Sequence, residues 1–143
     1  MMKTGLSLLF WLSTFAAMFI LFISIGWLLG LFGIALIPVI VLHIVSGSRA
    51  LNRLPLRNPW LLATSLSFLF FSLLRPDMDD VNPYTGFSVL MNFLGARGSR
   101  YVEATDFYFW AAILLIIITI TIDILILRQS KRPPPVPVNN DFV

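Results

Sequence analysis

The sequence predicts an all-α integral membrane protein with four transmembrane helices. Of its 143 residues, 58% are hydrophobic and only 12% are charged, and the mean hydropathy is +0.89. Soluble domains carry about 25% charged residues, so water is not the main solvent of this chain. The apolar residues form long runs, and most of the basic residues lie between those runs. Both features are typical of a polytopic membrane protein.

The composition also excludes several functional classes. Without cysteine the chain forms no disulfide, thiolate zinc site or iron–sulfur cluster. One histidine cannot supply both axial imidazoles of a haem. The formal net charge of +3 is scattered between apolar runs and forms no patch, which argues against nucleic acid. We therefore expect no cofactor, no metal and no nucleic-acid partner.

The first apolar run is too long for one membrane crossing. Between residues 5 and 45 the only strongly polar side chain is His43. As a single helix this run would extend roughly 60 Å, about twice the hydrocarbon thickness of a bilayer. We expect it to reverse among the glycines of segment 26–33, which gives spans at about 5–26 and 30–47. A cleaved signal peptide is the alternative, but the run continues well past its cleavage region.

The third span follows a basic loop that contains Arg49, Arg53 and Arg57 and no acid. Asn58 before proline is a favourable helix start, so the span is expected at about 59–74. Its length of roughly 24 Å requires local thinning of the bilayer or snorkelling of the flanking arginines. A re-entrant hairpin is the alternative.

Residues 75–106 form the one long polar stretch and are predicted to be an extracytoplasmic aqueous loop. Within it, apolar residues recur at helical spacing, which predicts a short amphipathic helix at about 86–95 on the bilayer surface. The alternative is a partly apolar loop packed on the bundle. Asp106 is expected to cap the fourth span, which runs at about 107–127 after the aromatic group FYFW.

The basic residues predict the orientation of the chain. Seven fall on the side of the two termini, namely Lys3, Arg49, Arg53, Arg57, Arg128, Lys131 and Arg132, and three on the other, namely Arg75, Arg97 and Arg100. This bias places both termini in the cytoplasm, across a plasma or bacterial inner membrane. Residues 1–128 then form the transmembrane domain, and residues 129–143 form a flexible, basic, proline-rich cytoplasmic tail.

Asp123 is the only acid inside a predicted span. An aspartate at the centre of a membrane helix costs about 2.5 to 3.5 kcal/mol and less near the end, so a partner is expected. His43 is expected at nearly the same depth, and the two form a candidate proton-accepting pair. The preferred interpretation is structural: Asp123 reaches Arg49 or Arg128, while His43 bonds a backbone carbonyl or Ser46.

The acidic residues Asp77, Asp79 and Asp80 are a candidate extracytoplasmic site. Counted from Asp77 as a calcium loop, Val81 occupies the fifth position, where an oxygen ligand is needed. The sixth position, where glycine makes the sharp turn, holds Asn82. We therefore favour a solvated loop over a cation site.

In the tail, Lys131, Pro134 and Pro137 have the spacing of a basic residue followed by PxxP. Aromatic grooves bind such segments as preformed polyproline helices. A solvated tether is the favoured alternative, because so short a pattern is common by chance.

The sequence contains no catalytic motif that we recognise, so a non-enzymatic role is expected. We favour a small accessory or interaction subunit of a membrane assembly, whose partners are the lipid bilayer and other membrane-protein subunits or further copies of itself. The alternative is a minimal proton- or ion-linked transporter or pore that uses Asp123 and His43. Transport paths normally place ionisable or helix-breaking residues near the midplane of several spans, and here Pro38 is the only proline inside one.

Overall fold

The computed structural model describes residues 2–53, 59–78, 83–96 and 106–131, and within these ranges the chain is mostly helical. The elements in order are α1 (Met2–Ile23), α2 (Trp27–Arg53), α3 (Pro59–Leu74), β1 (Pro76–Met78), β2 (Pro83–Thr85), α4 (Gly86–Phe93) and α5 (Asp106–Ser130). In this part of the chain, α1, α2 and α5 contain stretches long and apolar enough to cross a membrane. Helix α3 is equally apolar but has only 16 residues.

Helices α1, α2, α3 and α5, the four long helices, form a bundle with α3 and α5 at its centre. Helix α3 packs extensively against α1 and α5, and α2 packs against α5. Helices α1 and α2 are neighbours in sequence but touch little. One core cluster includes Phe10, Leu61 and Ile122, and a second includes Leu21 and Phe71. The first cluster lies at the end of the bundle where α5 finishes, which we call the tail side. The second lies toward the end that carries β1 and β2, which we call the hairpin side.

The turn between the first two helices lies three residues earlier in the chain than its approximate predicted position. Helix α1 ends at Ile23 and α2 begins at Trp27, so Gly30 and Gly33 lie inside α2. Helix α2 also continues past residue 47 to Arg53. Ala50, in these last turns, is buried in the tail-side core. This packing stabilises the helix relative to an open loop.

A short hairpin and helix cover the hairpin side. Strands β1 and β2 pair antiparallel with Asp77 opposite Tyr84. Thr85 then begins α4 with a capping box, in which Thr85 and Ser88 bond each other's backbone amides. A helix therefore occupies the segment where one was predicted. It packs against α1 and α3, and its placement on a bilayer surface stays a prediction.

Gly86 allows α4 to start directly against the end of α3. A Cβ atom at this position would lie 1.9 Å from the carbonyl oxygen of Ser72 and 3.0 Å from a methyl carbon of Ile20. The first contact is with backbone, which cannot move aside as a flexible side chain can. Glycine is therefore required here for the close approach of the two helices.

We predict that Gly86→Ala lowers the free energy of unfolding by about 1 to 3 kcal/mol, as overpacking does in a filled core. Gly30→Ala is the matched control, because no atom lies within 4 Å of its added Cβ. Alanine inside a helix is favoured over glycine by roughly 0.5 to 1 kcal/mol, so the control should be neutral or stabilising. Thermal unfolding in mild detergent measures both, and equal midpoints would contradict the close approach.

Candidate functional site

Five buried polar side chains join all four long helices toward the tail side of the bundle. They are Thr14 of α1, His43 and Ser46 of α2, Thr64 of α3 and Asp123 of α5. None is more than 1% exposed. We call this group the Asp123 cluster. It is the densest polar feature of the described bundle.

The carboxylate of Asp123 is the centre of the cluster. Its Oδ2 atom lies 3.1 Å from Nδ1 of His43. Its Oδ1 atom accepts hydrogen bonds from the hydroxyls of Ser46 at 2.7 Å and Thr64 at 2.9 Å. Buried charge is tolerated when it is hydrogen-bonded in this way, so three donors replace the water that Asp123 has lost.

The preferred interpretation of the sequence assigned other partners to these residues. Arg49 and Arg128 were expected to reach Asp123, but both side chains are exposed on the outside of the bundle. Asp123 instead bonds side chains of α2 and α3. His43 was expected to bond a backbone carbonyl or Ser46, but its imidazole contacts Asp123 and Thr14 instead. The Ser46 hydroxyl donates to the backbone carbonyl of His43 at 2.9 Å.

The imidazole of His43 has partners at both ring nitrogens and packs against two phenyl rings. Its Nε2 atom lies 3.3 Å from the hydroxyl of Thr14. The rings of Phe10 and Phe68 pack against it in tilted orientations, with centroids 5.1 and 4.6 Å away. A neutral imidazole that donates from Nδ1 to Asp123 accepts from Thr14 at Nε2. Both nitrogens thus have partners while the phenyl rings keep water from the ring.

The cluster has a hydrogen-bond arrangement for either protonation state of Asp123. The single hydroxyl proton of Ser46 faces two acceptors, the His43 carbonyl and Oδ1 of Asp123. An ionised carboxylate accepts that proton. A carboxylic acid protonated at Oδ1 donates to Ser46 instead, and Ser46 turns its own proton to the carbonyl. The arrangement can therefore hold a proton without moving a heavy atom.

Gly47 of α2 brings Phe10 into position over His43. A Cβ atom at Gly47 would lie 1.9 Å from the far carbon of the Phe10 ring. Phe10 is 1% exposed and also packs edge-on against Trp11. The ring therefore rests directly on the α2 backbone, at one of the few contacts between α1 and α2.

A second polar cluster lies on the hairpin side and consists of Ser24, Leu29, Arg75 and Asp77. Nη1 of Arg75 pairs with the Asp77 carboxylate, and Nη2 donates to the carbonyl and the hydroxyl of Ser24, each at 2.9 Å. The Leu29 amide donates to the same carboxylate oxygen at 3.2 Å. This Arg75 cluster ties the hairpin-side ends of α1, α2 and α3 together.

The Arg75 cluster corrects the predicted loop. Asp77 was expected in a solvated acidic loop, yet only 2% of it is exposed. Its carboxylate is buried in an ion pair with Arg75. Asp79 and Asp80 lie outside the described residues. The described part of the chain holds no group of three or more histidine or acidic side chains suited to a metal ion. Asp106 is the first residue of α5 and lies in its first turn.

Some of these partners were not identified from the sequence. Arg75 and Asp77 are two residues apart at an extended segment, which places their side chains on one face; that spacing was an available signal. Thr14 and Thr64 carried no such signal. Of the tail candidates, Lys131 is exposed at the end of α5, and Pro134 and Pro137 lie outside the described residues.

The fold defines a class: a mostly helical protein with three helices that have the length and composition to cross a membrane. Comparisons with protein-family models, with curated proteins and with solved structures give no match for this chain. Its own geometry is therefore the basis for a functional assignment.

We predict strong coupling between His43 and Asp123. His43→Leu and Asp123→Leu each leave the other group buried without its partner, so each should cost about 3 to 5 kcal/mol. The double variant should cost clearly less than the sum, because replacing both partners removes the unpaired group. Chemical unfolding in detergent measures the free energy of unfolding of the two single variants and the double variant, which together form a double-mutant cycle. Additive losses would show that the 3.1 Å contact carries no energy.

Asp77→Ala tests the second cluster. Removing the carboxylate leaves the buried Arg75 charge without its counterion, so we expect a loss of about 3 to 5 kcal/mol in stability. Asp106→Ala is the matched control on the same side of the bundle, because that carboxylate is exposed and should matter by less than about 1 kcal/mol. Similar thermal midpoints for the two variants would contradict a stabilising role for the ion pair.

Proposed function

We propose that this chain is a four-span membrane protein with both termini in the cytoplasm, acting as a non-enzymatic accessory or interaction subunit of a membrane assembly. The observation that carries the proposal is that the Asp123 cluster is closed to the outside of the bundle. All five side chains of the Asp123 cluster bond within the chain and are at most 1% exposed. Such a cluster stabilises helix packing.

The packing of α3 supports the fourth crossing. Leu61, near its start, packs with Phe10 and Ile122 on the tail side, and Phe71, near its end, packs in the hairpin-side core. Helix α3 thus runs alongside two candidate spans for its whole length. Its end at Leu74 is followed by Arg75, whose charge is matched inside the bundle. This arrangement favours a full crossing over a re-entrant hairpin, and the basic residues favour cytoplasmic termini.

The outer surface of the bundle offers apolar helix faces to a partner. Helix α1 carries one such face, a stripe of exposed side chains at alternating spacings of four and three residues, consisting of Leu8, Leu12, Phe15, Phe19 and Phe22. This spacing follows the seam of a left-handed helix pair. Helix α1 is also an outer helix, because it touches α2 little. We propose this α1 stripe as the surface that contacts the partner subunit.

A specific observation favours the second candidate, a proton-linked transporter or pore. The carboxylate and imidazole of Asp123 and His43 are in hydrogen-bond contact, and ionisable residues within membrane helices often mark proton relays. However, the imidazole is fully buried and packs against the rings of Phe10 and Phe68. Proton transfer across the membrane would require this packing to open, which makes transport the weaker candidate.

We predict that the tagged full-length chain, purified in mild detergent, retains a stoichiometric membrane-protein partner through the α1 stripe. Leu12→Ala/Phe15→Ala should weaken retention about tenfold or more, as expected when two large side chains leave an interface. Leu114→Ala/Ile117→Ala on α5 is the matched control, because these side chains are similarly exposed. Quantitative mass spectrometry of the purified samples measures the ratio.

Two outcomes would overturn the accessory role. Equal partner retention by the stripe and control variants would exclude the α1 stripe as the contact. A partner-free chain that conducts protons in liposomes, and loses that flux in Asp123→Asn while remaining folded, would establish the transport alternative.

A further inference from the structure

The outward faces of α2 and α5 end in arginine on the tail side. On α2 an exposed apolar stripe leads to Arg49 and consists of Ile34, Ile37, Val41 and Val45. On α5 an exposed, mostly apolar stripe leads to Arg128 and consists of Leu114, Ile117, Thr121 and Leu125. Residues three or four apart lie on one face of a helix. Each arginine therefore continues a face that is turned to the outside of the bundle.

The position of these arginines along their helices matches the depth of lipid headgroups. Helix α5 rises about 32 Å from Phe107 to Arg128, and α2 rises about 33 Å from Trp27 to Arg49. The hydrocarbon core of a bilayer is about 30 Å thick, so each rise corresponds to one crossing from interface to interface. The two arginines also lie at the same end of adjacent helices, because α2 packs against α5 and both reach the tail-side core.

Within the described residues, no acidic side chain pairs with either arginine. Asp77 and Asp123 are buried and bonded inside the two polar clusters, and Asp106 begins α5 at the opposite end of the bundle. The adjoining tail-side segments add one acid, Asp141, and four basic residues, Arg53, Arg57, Lys131 and Arg132. The tail side therefore has an excess of positive charge that an external anion can compensate.

We propose that the tail-side ends of α2 and α5 bind the headgroup of an anionic glycerophospholipid, with Arg49 and Arg128 contacting its phosphate. The acyl chains of such a lipid lie along the exposed stripes, so its phosphate reaches the arginines that end them. Guanidinium groups bind phosphate through two parallel hydrogen bonds. Each basic side chain near an anionic leaflet contributes roughly a fivefold preference.

The orientation of the chain does not by itself explain this placement. Basic residues in loops and tails provide the charge bias that sets orientation, and they need not lie at the ends of outward stripes. An inorganic phosphate ion or a soluble acidic protein would match the charge but not the apolar stripes beside it. A lipid with an anionic headgroup matches both. The inference rests on the proposed membrane insertion and is independent of the accessory role.

The experiment uses the full-length chain in vesicles of phosphatidylcholine and phosphatidylglycerol. Trp60 is 43% exposed at the tail-side end of α3, and it reports alone when Trp11→Phe, Trp27→Phe and Trp110→Phe remove the other tryptophans. Bromine on the acyl chains of one lipid or the other quenches tryptophan fluorescence at short range. We expect phosphatidylglycerol to quench Trp60 roughly three- to tenfold more per molecule than phosphatidylcholine. Equal quenching would overturn the proposal.

A chain that keeps only Trp110 gives the matched measurement on the hairpin side, where this residue is 64% exposed. Segment 75–106 contains three basic residues and five acids, so we expect the two lipids to quench Trp110 equally. The same preference at both tryptophans would reflect a general affinity for phosphatidylglycerol and would overturn the proposal. Quenching by either lipid demonstrates membrane contact, so a missing preference is distinguishable from a failure of insertion.

Arg49→Gln/Arg128→Gln tests the two assigned contacts and should lower the preference at Trp60 to roughly twofold or less. Five basic residues remain on the tail side against three on the other, so the orientation bias is kept. Arg97→Gln/Arg100→Gln is the matched control, because it removes the same charge from segment 75–106, and it should leave the preference unchanged. An unaltered preference in Arg49→Gln/Arg128→Gln would overturn the assigned contacts.

Added salt separates a lipid headgroup from a free phosphate ion as the ligand. Sodium phosphate and sodium chloride of equal ionic strength should weaken the preference at Trp60 equally, because both screen exposed charges. A larger loss in sodium phosphate would overturn the lipid assignment in favour of the free anion. Native mass spectrometry of the unsubstituted chain with both lipids in detergent requires no change of tryptophan. Equal binding of the two lipids there would also contradict the proposal.

Discussion

The carboxylate of Asp123 is the constraint on which the rest of the bundle depends. It is fully buried among apolar helices, and an ionisable group in such a place requires partners. Those partners come from α2 and α3, and through His43 from α1. Each helix must therefore turn at least one polar residue inward at the same depth. This requirement fixes the rotation of four helices that hydrophobic contact alone would leave loosely specified, because lipid is as apolar as their side chains.

The two polar clusters connect the helices at opposite ends of the bundle. The Asp123 cluster acts toward the tail side, and the Arg75 cluster joins the ends of three helices on the hairpin side. Between them lie apolar cores that include Ala17 and Phe68. Helix α2 shows the consequence most clearly: its second half is held by His43 and Ser46, whereas its first half is held through the Leu29 amide and is flanked by cavities.

This division connects packing to function. The interior satisfies its own polar groups where the Asp123 cluster lies, and the large apolar side chains of α1 face outward. A subunit that associates with other membrane proteins needs a firmly specified core and an apolar exterior. The Arg75 cluster differs in that one of its buried donors, Nε of Arg75, bonds to nothing in the described part of the chain.

The amino-acid sequence by itself determined the helical class, the approximate positions of the long helices and the depth of Asp123 and His43, because these depend on apolar run length and on residues counted along a helix. Tertiary structure decided which side chains meet. Thr64 and Thr14 became hydrogen-bond partners, and Arg49 and Arg128 stayed outside, because helix rotation is set by packing among all four helices. Arg75 and Asp77 looked like solvated loop residues, since burial of a charge depends on a counterion that only the folded chain brings within reach.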